Sequence, residues 1–318
     1  MGAYVIRRLL QAIPVILLIT GIVFLVVYLI PGDAATVILG QNASEENVIA
    51  IRKKLGLDRP VHIRYLIWLG NVVTGDLGRS IISRKPVGEM IAQAFPVTAY
   101  LSVCALLVAV LIAVPAGTIA ALRRNTWIDL VCTTWALFGV SVPSFWLGIM
   151  LIYFFSVRLR WLPVQGYVSP LEDLSASLRA IILPAFTLGI FLSGPLTRYL
   201  RSSILQVMSQ EYVLVARAKG LAERRVIAGH ILRNSFIPFV TVLGVQLGYL
   251  LGGAVIIEQI FVIPGIGRLA VQAIGNRDYP LIQGIVLVVA VGFVVINIAV
   301  DALYSVLDPR IRVGRGAV

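Results

Sequence analysis

Glu211, Tyr212, Ala216, Arg217, Ala218, Lys219 and Gly220 form the most chemically pointed cluster in the chain. An acid, a phenol, two cations and small residues at this spacing suit gripping another protein better than transforming a substrate. Catalysis has little else to work with. A serine or cysteine nucleophile needs a base within hydrogen-bond reach. His62 and His230 are the two histidines, and neither falls in an apolar run. Cys104 and Cys132 lie in or beside apolar runs, with no metal-ligand spacing and no disulfide framework, so small-residue packing is their expected role. The sequence contains no His-Glu-x-x-His motif for zinc and no Gly-Lys dipeptide, so a Walker A phosphate loop cannot be built. An intramembrane enzyme is therefore disfavoured, and no metal site is expected.

The elements that must position the cluster are legible in outline. Residues 211–234 are polar and basic between long apolar runs, and read as two short helices broken at Gly220. Ser209 is placed to cap a helix starting at Gln210, with Glu211 favouring the positive end of its dipole. Tyr212, Val215, Ala216 and Lys219 fall at i, i+3, i+4 and i+7, which puts an aromatic ring and small residues on one stripe. Gly220 permits the left-handed turn that ends a helix. A second helix over 222–233 would expose Arg224, Arg225, His230 and Arg233. Anionic lipid headgroups beside the loop would account for its charge. They would not account for the small-residue stripe or the placed glycine.

The rest of the chain is lipid-soluble. Of 318 residues, 59% are hydrophobic and 13% charged, against about 25% charged in soluble domains. The mean hydropathy is +0.94. Crossing a bilayer takes about 20 apolar residues. Six uncharged windows qualify: 9–32, 90–122, 130–157, 180–197, 234–257 and 279–300. One such run can be a buried core helix; six together predict a polytopic membrane protein. The first run is read as a retained span, because Pro31-Gly32-Asp33 makes a poor signal-peptidase site. The fourth carries Pro184, Gly189, Gly194 and Pro195, which predicts either close helix packing or broken backbone lining a wet pathway.

Lysine and arginine placement predicts both termini on the cytoplasmic side. Arg7, Arg8, Arg123, Arg124, the basic residues of 198–233, Arg310, Arg312 and Arg315 then lie inside. The short outside loops keep Arg158, Arg160, Arg179, Arg268 and Arg277. The formal net charge of +12 thus reflects topology, and no soluble basic domain is present to bind nucleic acid. Outside, 33–89 predicts one helix from Ser44 to Gly56 and another over 61–73. Its Tyr65, Trp68 and Leu69 suit a membrane interface. A packed cap and a docking surface for an external partner are both compatible with this region.

Glu211-Tyr212-Val213 with Ala216-Arg217-Ala218-Lys219-Gly220 resembles the coupling loop of membrane subunits of ATP-binding-cassette (ABC) importers, and more narrowly the dipeptide/oligopeptide permease group. The resemblance covers essentially the whole chain. It includes Pro31-Gly32-Asp33, Lys54-Leu55-Gly56-Leu57-Asp58, Gly75-Asp76-Leu77-Gly78 and Ser83-Arg84-Lys85-Pro86-Val87. Trp161-Leu162-Pro163, Glu258 with Phe261 and Pro264-Gly265-Ile266-Gly267, Arg277-Asp278-Tyr279-Pro280 and Asp308-Pro309-Arg310 continue it. The general importer loop has Glu-Ala-Ala with a glycine four residues on. Counting back from Gly220 puts Leu214, Val215 and Ala216 there, so only the last position matches and Glu211 lies too early. The peptide-permease group is similar to this chain in that respect.

The resemblance implies an all-α polytopic protein with six transmembrane helices in the type I (MetI-like) ABC importer transmembrane fold. It implies an N-terminal span over 1–32, a periplasmic insert over 33–93, a core over 94–307 with its coupling loop at 198–233, and a tail over 308–318. The implied partners are a second homologous permease in a heterodimer, two ABC ATPases carrying ATP and Mg, and a periplasmic or extracellular binding protein. This chain would hold no cofactor. The implied site is Glu211, Tyr212, Ala216, Arg217, Ala218, Lys219 and Gly220, facing an ATPase. Implied cargoes are di- and oligopeptides, then glutathione, opines or a nickel complex; no substrate contacts are named. An ATP-independent channel or carrier is the rival reading. It would need central buried charge, whereas Asp301 and Glu258 sit at span ends.

Overall fold

The computed structural model describes residues 2–29, 46, 47, 49, 53 and 58–307. The helix expected over 44–56, Pro31-Gly32-Asp33 and Asp308-Pro309-Arg310 lie wholly or largely outside the described residues. Among the described residues the secondary structure is helical, with one isolated bridge between Arg79 and Pro86. The principal helices are α1 (Gly2–Leu29), α2 (Val61–Val73), α3 (Val87–Leu122), α4 (Trp127–Ser141), α5 (Ser144–Leu151), α6 (Leu174–Met208), α7 (Glu211–Ala218), α8 (Arg233–Ile260), α9 (Ile266–Gly275) and α10 (Tyr279–Leu307). The chain divides into two units, residues 1–98 with 264–295, and residues 99–263 with 296–318.

Among the described residues, four helices are long and apolar enough to cross a membrane, and a bent helix pair makes a fifth candidate. That pair, α4 with 144–158, occupies the expected third window and turns through 99°. The cause is local. Val142 is extended (φ −82°, ψ 125°) ahead of Pro143. Proline disfavours helical backbone in the residue before it and has no N–H to continue the ladder.

The fourth window proved longer and more regular than its prolines suggested. α6 runs unbroken through Pro184 and Pro195, so of the two readings of this window the backbone is not broken and the close packing is present. Charged Arg179 and Arg198 delimited the apolar window but not the helix, which Asp173 starts by accepting from Ala176 N–H at 3.0 Å. Inside, Thr187 and Ser193 hydroxyls donate to the Leu183 and Ile190 carbonyls, both at 2.8 Å. α6 is the axis of its unit, packed against α4, α5 and α8. Glycines set the closest approaches. A methyl at Gly194 would lie 2.4 Å from the Ala136 carbonyl oxygen, one at Gly139 2.9 Å from that of Ile190, and one at Gly117 2.9 Å from that of Thr197. Small residues let helices approach to backbone contact.

At one end of this unit, Arg201 grips Asp129 through Nε and Nη2, both at 2.7 Å. Asp129 also accepts from Asn125 N–H at 3.0 Å. The α4 start and the α6 end therefore share one end of the array, as helices crossing in alternation require. At the other end, Gly166 N–H donates to the Phe261 carbonyl at 2.9 Å.

In the first unit, α2 has the expected bounds. Tyr65 hydrogen-bonds Thr20 at 2.9 Å and packs edge-on to Phe24 with Trp68 stacked beside it. These rings are thus engaged by α1. Val87, Ile91, Ala94, Ile266, Ala273, Leu281, Ile282 and Ile285 form the unit's core.

Candidate functional site

The loop that follows α6 is built to hold a shape. α6 ends at Met208, and only Ser209 and Gln210 separate it from α7. Ser209 does not cap α7, contrary to the sequence expectation. Its hydroxyl donates back to the Gln206 carbonyl at 2.8 Å, because α6 extends far enough to make Ser209 its own C-cap. Gln210 is the N-cap, without a side-chain bond, and α7 begins at Glu211.

α7 closes in a Schellman turn. Gly220 N–H donates to the Arg217 carbonyl at 2.9 Å, and Leu221 N–H to that of Ala216 at 3.4 Å. Gly220 sits at φ 74°, the left-handed conformation that this turn needs and glycine adopts freely. The chain does not then form a second short helix over 222–233. Glu223–Arg225 leads through a wide π-type segment, Val226–Leu232, directly into α8. Arg224, Arg225 and Arg233 are exposed and His230 is half-buried.

Burial sorts the cluster into a seat and a face. Val213 and Ala216 are 0% and 6% exposed, and α7 packs on the Val226–Leu232 segment. The opposite side carries Tyr212, Leu214 and Val215 at 43%, 57% and 51% exposure. Glu211, Ala218, Lys219 and Gly220 are also exposed. Helical spacing had put Tyr212, Val215, Ala216 and Lys219 on one outward stripe, and this is corrected for Ala216, which turns inward. A bulky residue at Ala216 is consequently expected to unseat the helix rather than spare folding. Leu214 and Val215 went unselected as contacts. Their signal was available, since apolar residues in a polar loop leave the membrane only to meet protein.

Arg217 reaches back across the turn to its own chain. Its Nη2 and Nε donate to Glu223 Oε1 and Oε2 at 2.7 and 3.2 Å. These bonds hold the Glu223 carboxyl below its ordinary value and raise the guanidinium further. The pair is solvent-exposed, so it adds little stability; its planar fork fixes geometry instead. At the loop base, Ser203 donates to the Ser235 carbonyl at 3.1 Å and ties α6 to α8. Reversing one charge, with Arg217→Glu or Glu223→Arg, is expected to lower the amide-exchange protection of the turn several-fold at unchanged expression. The double exchange should recover most of it. Hydrogen exchange on the three variants checks this, and equal loss in the double exchange would refute the fork's role.

Residues 113–313 match the family described as binding-protein-dependent transport system inner membrane component, and residues 1–102 match its N-terminal companion. A Brucella abortus (strain 2308) permease, named for a peptide transport system, is 45% identical over 98% of this chain and 99% of its own. The glutathione transport system permease protein GsiC of Salmonella typhimurium is 42% identical over 97% of this chain and 98% of its own. Among solved structures, an inward-facing MetNI methionine ABC transporter matches with a TM-score of 0.57 at 15% identity, over 69% of this chain and 96% of that one. That likeness bears on the fold alone.

Proposed function

Because this chain belongs to the family of binding-protein-dependent transport system inner membrane components, we propose that it forms half of a peptide pathway driven by ATPases gripping its 211–233 loop. It is a multi-pass inner-membrane permease subunit of an ABC importer. The single observation that carries the coupling reading is the exposed apolar face of α7, Tyr212 with Leu214 and Val215, on a polar loop held by its own turn and fork. Such a face is an anchor waiting for a pocket. Glu211, Ala218, Lys219 and Gly220 border it; Ala216 and Arg217 set its position. ATP and Mg would reside on the partner subunits, and closure of those subunits would rock the helices through the loop.

The lysine and arginine distribution supports termini on the cytoplasmic side, where ATP is. A second, similar permease completes the pathway as a heterodimer. Di- and oligopeptides are the favoured cargo, because a relative named for peptide transport spans the same length at 45% identity. Glutathione, itself a tripeptide, is the second reading, favoured by the relative named for it. The test is reconstitution of the permease pair, its ATPases and its binding protein in liposomes. Labelled peptide should accumulate only with ATP inside the ATPase compartment. Uptake by the chain alone, without ATPases, would refute the proposal. A thermal-shift screen of the binding protein separates the two cargoes.

A further inference from the structure

The first unit carries a second built feature, at the residues just ahead of α3. Residues 75–86 form a tight hairpin clamped from below. Ser80 N–H donates to the Lys85 carbonyl at 2.9 Å, Arg84 N–H to that of Ser80 at 3.1 Å, and Val87 N–H to that of Gly78 at 3.0 Å. The buried Ser80 hydroxyl donates to buried Asp278, and the other Asp278 oxygen accepts from Ile81 N–H at 3.1 Å. Ser80 Oγ in turn accepts from Ser83 N–H at 2.9 Å. A carboxylate is thus spent inside the fold to hold a short loop rigid.

What the clamp presents is basic. Arg79, Arg84 and Lys85 are exposed around Ile82, itself 47% exposed. Among the described residues none of the three cations has an ion-pair partner. The acids within reach along the chain are engaged: Asp76 accepts from Gly78 N–H at 2.8 Å, and Glu89 from Gln93 at 3.3 Å. Arg84 sits at φ 61°, where glycine would be easier. A residue kept in disfavoured backbone at an exposed tip points to a use for its side chain. An apolar centre ringed by fixed charge has the anatomy of a docking site.

We propose that the 79–86 hairpin is the docking knob for an acidic patch on the importer's substrate-binding protein. The inference rests on the outside placement of residues 33–89 and on the binding-protein dependence proposed above. Fixed charges at an interface rim act mainly on association rate and salt dependence. Preorganisation spares the ordering entropy that a floppy loop would lose on binding.

The test measures binding of the purified substrate-binding protein to the complete importer in nanodiscs of phosphatidylcholine alone, then with phosphatidylglycerol added. Arg84→Glu with Lys85→Glu should weaken binding about tenfold or more and flatten its salt dependence. Arg84→Gly, which relieves the backbone, should raise the melting midpoint yet still weaken binding. Unchanged affinity in both variants overturns the proposal, as does a shift seen only with phosphatidylglycerol, which would assign the knob to lipid. Ser83→Cys, with Cys104 and Cys132 replaced by alanine, should react with an impermeant maleimide from outside the cell. Reaction only from the cytoplasmic side would refute the topology and the docking role together. Outside reaction with unchanged affinity refutes the docking role alone.

Discussion

Gly194→Leu is expected to leave almost no folded permease in the membrane. The new side chain would begin 2.4 Å from the Ala136 carbonyl oxygen and 3.0 Å from Val140 Cγ2. The first of these is backbone in α4, so it cannot swing aside as a side-chain tip would. α6 and α4 would have to separate, and α6 is the element on which α4, α5 and α8 all rest. Overpacking a filled core costs about 1–3 kcal/mol where side chains can adjust, and here they cannot. Gly194→Ala should already lower the melting midpoint. Gly70→Ala, in α2 with nothing within 4 Å of the added methyl, is the matched control. It should be neutral or slightly stabilising, because alanine favours helix by about 0.5–1 kcal/mol. Monodispersity and thermal midpoint of the detergent-purified complex read all three. A normally assembled Gly194→Leu would show that α4 and α6 are not packed this closely.

Gly220→Pro is expected to assemble normally and to lose ATP-driven uptake by about tenfold or more, the equivalent of about 1.4 kcal/mol. Proline fixes φ near −65°, whereas this residue sits at 74°. It also deletes the N–H that closes the turn on the Arg217 carbonyl. α7 would leave its seat on the following segment and the Arg217–Glu223 fork would open. Nothing lies within 4 Å of a methyl at this position, so Gly220→Ala meets only the backbone penalty and should retain most uptake. Both variants should keep wild-type abundance, because the turn is exposed and remote from the packed spans. Wild-type uptake by Gly220→Pro would show that the loop does not drive the pathway.

What could be foreseen in the sequence followed short-range physics. The α2 helix has the expected bounds, ending ahead of Gly75-Asp76, and Gly220 breaks the loop where a left-handed residue was needed. The expectations that failed depended on what lay further along the chain. Ser209 is a sound N-cap residue by type, but α6 reaches it first and uses it as a C-cap. Pro143 breaks its span and Pro184 does not interrupt α6, which is enclosed by α4, α5 and α8. The Tyr212–Lys219 stripe correctly grouped residues by helical angle. Helical angle alone cannot say which side is inward, and only the packing of α7 on 226–232 turned Ala216 in and Leu214 out. Arg217 looked outward by charge; its partner Glu223 lies across a turn whose closure no spacing rule predicts.

The wide segment Val226–Leu232 has a consequence for how such loops diverge. A π-type turn bonds each N–H one residue further back than an α-turn does, so the segment stores about one residue more than an α-helix of equal rise. Removing that residue lets the stretch relax to ordinary helix while α8 keeps its facing. Loop and span can therefore change length independently here, and a one-residue deletion within 226–232 is expected to leave the facing of α8 unchanged.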